Sequence, residues 1–123
     1  MVTVLRNSIV KIFLLTSFAL LSGCDITGGC ENTILQQETS PDGKNRVTVF
    51  RRGCGATVSD SMHVFLGGGS ESPGETGNAL IGTHWKVVNA RWVSNNEISI
   101  TTDATIFSRV ESVNSIKINI VKP

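Results

Sequence analysis

Tyrosine is absent from this chain, and aromatic residues make up only 6% of it, as five phenylalanines and two tryptophans. Tyrosine supplies much of the contact area at evolved protein-inhibitor surfaces, so its absence counts against an inhibitory or toxin-immunity role. There is no G-x-S-x-G around any serine, which removes the usual strand-to-helix serine nucleophile. There is no C-x-x-C, which removes the usual redox dithiol. Two histidines and three cysteines lie too far apart for the close paired spacing of a zinc site. No basic stripe with interleaved aromatics is present, so nucleic acid is not an expected partner. Helical periodicity is also scarce, and no cofactor is implied.

What is present begins at the amino terminus. Arg6 and Lys11 precede a mainly apolar stretch at 12–21, and the run ends in Leu21-Ser22-Gly23-Cys24. A basic start, a short apolar region and a small-residue processing site form the pattern of a secretory leader. The apolar part is shorter than the about 20 residues a membrane-spanning helix needs. An uncleaved anchor helix with an incidental cysteine is the competing interpretation. Leu21-Ser22-Gly23-Cys24 resembles a bacterial lipobox, and the first 24 residues are similar to a lipoprotein signal. That resemblance implies a thioether-linked diacylglycerol on Cys24, cleavage before it and acylation of the new terminus. One acyl chain binds a membrane only marginally, whereas two or three hold firmly, at about 0.8 kcal/mol per buried methylene. Asp25 follows directly. In the Gram-negative lipoproteins the leader resembles, aspartate there implies retention in the inner membrane rather than transfer to the outer one.

The expected organisation is a signal peptide at 1–23, a lipidated tether at 24–29 and a single β domain at 30–123. Cleavage removes two of the 11 basic residues, leaving nine against 10 acidic ones, so the mature chain is close to neutral. Lipidation of Cys24 leaves Cys30 and Cys54 as a pair. In an oxidising compartment two such thiols tend to form a bridge. A metal site is the competing interpretation, with His63 and His84 as distant ligands.

Strand and turn signals fill the rest. Segments 33–38, 46–52, 61–66, 79–82, 84–93, 98–101 and 116–120 each read as strands. Ser40-Pro41-Asp42-Gly43-Lys44 is a turn, with proline presetting φ and glycine taking a left-handed conformation. Gly53-Cys54-Gly55 breaks a strand where the bridge would cross. Asn95-Asn96 fits a two-residue hairpin turn with positive φ. The glycine-rich run at 67–78 reads as an exposed, flexible loop. Segment 104–110 fits either a strand or a turn of helix. The predicted fold is all-β: an antiparallel meander of about seven strands, forming a small sandwich or partly closed barrel.

Ser40 to Lys44 with the following valine-rich strand, Arg52 to Thr57, and Trp92 to Ile100 together resemble a group of small bacterial lipoproteins without an assigned activity. That resemblance transfers no catalytic residue. The pieces at Ser40 and Trp92 are also similar to single propeller blades, but a closed propeller needs about four blades and the chain is too short.

Candidate site residues are few. His63 and His84 are the natural acid–base groups, with Asp42, Asp60 or Asp103 to orient them and Ser59 or Ser61 nearby in sequence. Arg51 and Arg52 are the one adjacent cation pair after the leader, suited to an anion or to guarding a strand edge. Gly67-Gly68-Gly69-Ser70 lacks the helix and lysine a phosphate loop uses. Trp85 and Trp92 serve either as stacking platforms or as packing anchors, with Trp85 nearer the start of its strand. Arg51, Arg52 and Trp85 are therefore the candidate binding surface. The expected function is a non-enzymatic, membrane-anchored lipoprotein of the periplasm-facing envelope that binds a protein or envelope component. An inhibitor or immunity lipoprotein is the alternative, and an enzyme the least supported.

Overall fold

Among the described residues, the alternating pattern builds nine strands in two sheets facing one core. A computed structural model describes residues 29–123; the leader, the Leu21–Cys24 box and Asp25 lie outside the described residues. The strands are β1 (Glu31–Thr39), β2 (Asn45–Gly53), β3 (Ser61–Gly68), β4 (Leu80–Thr83), β5 (Val88–Ser94), β6 (Glu97–Thr102), β7 (Thr105–Arg109), β8 (Ser112–Val113) and β9 (Ile116–Val121). One sheet has the order β1-β2-β3-β4-β7, and the other β5-β6-β9-β8. The all-β expectation holds, and β1 to β4 form the antiparallel meander.

The core lies between the sheets and follows from period-two alternation. Val47 and Val49 of β2, with Met62, Val64 and Leu66 of β3, face Ile98 and Ile100 of β6 and Ile116 and Ile118 of β9. All of these side chains are buried. β9 lies parallel to β6, with Ile98 opposite Ile118 and Ile100 opposite Ile120. Its strict alternation is equally compatible with either direction. The direction is set by the intervening chain, which crosses to the first sheet as β7 and returns through β8.

The SPDGK turn closes as the residues dictate. Ser40 Oγ donates to Asp42 Oδ1 at 2.6 Å and accepts from the Asn45 amide at 3.0 Å, while the Lys44 amide donates to Asp42 Oδ1. Gly43 takes a φ of 76°, a region that costs other residues steric strain. The Asp42 amide also donates to Asn95 Oδ1 at 2.9 Å, joining the hairpin turns of the two sheets.

Four local expectations are revised. The predicted strand at 84–93 starts only at Val88. His84 has a φ of 54°, and Asp103 accepts from the amides of Lys86 and Val87, holding a loop there. Segment 104–110 resolves as strand β7. Asn95-Asn96 does form the β5–β6 turn, but without positive φ. Ser94 Oγ accepts from the Asn96 amide, and a bulge between Trp92 and Ser94 takes up the twist. The positive-φ pair is instead Asn114-Ser115, between β8 and β9. Finally, of the glycine-rich run, Gly67 and Gly68 end β3, and 69–78 is mostly exposed as expected but tied down at several points, as described next.

Candidate functional site

Two faces of β2 are buried, and only one of them belongs to the inter-sheet core. Thr48 and Phe50 alternate with Val47 and Val49 and therefore lie on the outer side of their sheet, yet both are fully buried. His63 of β3 pairs with Phe50 and stacks on its ring, with centroids 5.1 Å apart and planes 16° apart. His63 is itself only 3% exposed. The segment 69–78 is fastened across this outer face.

Its fastenings are specific. Glu71 Oε2 accepts from the Gly68 amide, and Arg46 Nη2 donates to the Glu71 carbonyl at 2.9 Å. Asn32 Nδ2, reaching from β1, donates to the carbonyls of Gly74 and Glu75. The Gly77 amide donates to His63 Nδ1 at 3.0 Å. Asn78 pairs with both the amide and the carbonyl of Leu66 at 2.8 Å. Gly77 is needed for close approach: a Cβ there would sit 2.6 Å from the Val64 carbonyl oxygen. The glycine pattern signals a loop, but long-range partners on β1, β2 and β3 make it a strap.

These contacts decide the chemistry of His63. Because Nδ1 accepts from Gly77, the neutral ring carries its proton on Nε2 and donates it to Ser61 Oγ, 2.7 Å away. The distance is that of a nucleophile–base pair, but the base lone pair faces a backbone amide and not the serine. Burial, reinforced by the positive charge of Arg52, holds His63 below the ordinary histidine range. His84 is exposed and touches Thr83 Oγ1. Among the described residues, no three histidine, cysteine, aspartate or glutamate side chains converge as metal ligands.

The three binding candidates are not assembled into one patch. Arg51 and Arg52 lie on opposite faces of β2. Arg51 meets Asp60 at 3.6 Å with both side chains nearly half exposed, a contact worth about 0–1 kcal/mol. Arg52 Nη1 donates to Asn32 Oδ1 at 2.9 Å, so it braces the same asparagine that holds the strap. Trp85 is half-buried against the inter-sheet core, as is Trp92, whose indole N–H donates to the Glu38 carbonyl at 2.8 Å. Both tryptophans act as packing anchors. The cysteine expectation is met in position: Cys30 and Cys54 lie at disulfide distance, with Cα atoms 4.0 Å apart.

A surface that sequence reasoning missed is β7. All five of its residues are exposed, and Phe107 is 83% exposed at a bulge between the Ser108–Ile81 and Ile106–Gly82 pairs. β7 forms the outer edge of the five-stranded sheet. Beside it, a cleft of about 530 Å³ is lined by Ala104, Ile106 and Ile120 together with Arg109 and Lys122. The sequence signal was weak because 104–110 carries no clean alternation. No family model matches the chain, and no curated protein or solved structure matches it either.

Proposed function

We propose that this chain is a membrane-anchored lipoprotein of the bacterial cell envelope whose β domain binds an envelope protein and catalyses no reaction. The observation that carries the binding part is β7, an edge strand exposed along its whole length and bearing an aromatic ring 83% exposed to solvent. An unpaired strand edge offers main-chain hydrogen bonds to an extended segment of a partner. Bulges and charge commonly blunt such edges, yet here the bulged residue is phenylalanine. The His63 tautomer supports the non-enzymatic reading, since the ring gives its proton to Ser61 instead of taking one.

Anchoring rests on the lipobox-like Leu21-Ser22-Gly23-Cys24, with Asp25 favouring the inner membrane. With the β domain taken from Cys30, lipid on Cys24 would leave a short tether from Asp25 to Gly29, with Gly28-Gly29 giving it play. Such confinement raises the effective concentration of a weak binder at the membrane surface.

Two measurements test the two parts. Cys24→Ser should release the protein from membranes or leave an unprocessed precursor, read by fractionation and intact mass. A variant that is still processed and still membrane-bound would overturn the lipidation. Crosslinked pull-down from envelope extract should retrieve the same partner reproducibly with the native chain and lose it with Phe107→Asp. Retrieval of nothing, or retrieval indifferent to Phe107, would overturn binding through β7.

A further inference from the structure

We infer that the His63–Gly77 contact is a pH-sensitive latch, holding the 69–78 strap against the outer face of β3 and releasing it when the imidazole is protonated. The argument starts from donor counting. Neutral His63 has one acceptor and one donor, and both are used: Nδ1 accepts from Gly77, and Nε2 donates to Ser61 Oγ. An imidazolium has two donors and no acceptor. Protonation would thus set two N–H groups against each other across 3.0 Å in a buried site. Ser61 can still accept after that change, so the conflict falls on the strap side alone.

The strap is built so that this conflict can be relieved locally. Its ends are held by Glu71 with Gly68 and Arg46, and by the paired bonds of Asn78 to Leu66. Between those ends, its fastenings to the sheet are the two carbonyls taken by Asn32 and the single bond to His63. Residues 72–77 include Pro73, Gly74 and Gly77, and most are exposed, so the strap's own side chains lose little burial on lifting. Gly77 has little room to slide inward, because even a Cβ there would meet the Val64 backbone at 2.6 Å. The relief is outward, away from His63.

The surroundings of the ring fix the direction of the response. β2 contributes Phe50 and, two pairs along on the same face, the cationic Arg52. β4 contributes Ile81 opposite the ring and Thr83 opposite Ser61. β1 contributes Asn32 and Ile34, both uncharged. The strap's carboxylates are Glu71, engaged with the Gly68 amide, and Glu75. Arg52 is thus the charge acting on the ring, and it opposes protonation alongside burial. The closed strap binds the proton less readily than the open one. Closure is therefore complete above the ordinary histidine value of about 6.5, and weakens as pH falls below it.

Hydrogen exchange of the full-length chain, labelled with 15N in detergent micelles, tests this directly. Corrected for intrinsic rates, Gly77 protection should fall as the pH drops from 7 to 5, while Val49 and Ile100 keep theirs. His63→Gln, which cannot titrate, should abolish that step but leave any step belonging to Glu71 or Glu75. The same step in His63→Gln, or none in the native chain, would overturn the latch. A long-range 15N spectrum of native His63 supplies a check independent of the variant's folding: at pH 7 the proton must reside on Nε2, and an Nδ1–H ring would overturn the inference.

Discussion

The side-chain amide of Gln36 completes the backbone pairing of Ala90 across the gap between the sheets. Gln36 Oε1 accepts from the Ala90 amide, and Nε2 donates to the Ala90 carbonyl, both at 2.8 Å. Ala90 is fully buried, so its polar groups have no water to turn to. Gln36 reaches it only because β1 slips one residue between Ile34 and Gln36: Ile34 pairs with Phe50 on the outer side, and Gln36 with Val49 on the inner. A bulge has turned a glutamine inward.

Gln36→Leu should therefore destabilise the domain by about 1–3 kcal/mol, the cost of leaving a buried donor and acceptor unmade. Urea unfolding followed by tryptophan fluorescence measures it. Gln37→Leu, one residue on and bonded only to Thr48 Oγ1 at 3.3 Å, should cost less. Equal losses at the two positions would contradict the role of the bulge.

The bridge is expected to stabilise by constraining the unfolded chain. Its 24-residue separation corresponds to about 3 kcal/mol in the loop-entropy description. The Cys30→Ser, Cys54→Ser double variant should lose about that much in the same unfolding assay. Non-reducing mass analysis of the native chain should show these two cysteines two hydrogens short of free thiols. Two alkylatable thiols would rule the bridge out.

Acid should act on two exposed aspartates. Hydrogen bonds from Ser40 Oγ and the Lys44 amide hold Asp42 below the usual carboxylate range, and the amides of Val87 and Lys86 do the same for Asp103. A carboxylate depressed on folding contributes stability that is present above its unfolded value, near 3.8, and is lost as pH falls through the folded one. Carboxyl 13C titration should place both midpoints below 3.8. The amide shifts of Lys44, Lys86 and Val87 should move with those midpoints, and titration of either aspartate above 3.8 would contradict the assigned bonds.

Much of the fold was legible because its cues are local. Val47 and Val49, Met62 to Leu66, and Ile116 to Ile120 alternate strictly, and each segment became a strand with that face inward. Ser40 to Lys44 specified its own turn through bonds no more than five residues long. Positive φ at Asn95-Asn96 did not appear, since a neighbouring bulge supplied the twist that such a turn otherwise provides. The site was far less legible. His63 read as an acid–base candidate beside Ser61, but its stacking on Phe50 and its bond to Gly77 were not legible, since nothing in the spacing 63–77 marks a bond. Phe107 went unnoticed because β7 exposes every residue and so shows no period.

The amino-acid sequence by itself determined the all-β class and most of the strands, the SPDGK turn, the separation of the two cysteines and the polar, glycine-rich character of 69–78. These follow from side-chain periodicity and from backbone preferences of individual residues. Tertiary structure alone decided that β9 runs parallel to β6, that Gln36 turns inward, and that the glycine-rich segment is bonded across to His63 and Asn32. Each depends on a hydrogen bond or strand pairing between residues far apart in the chain. Such partners are chosen by where the rest of the fold places them.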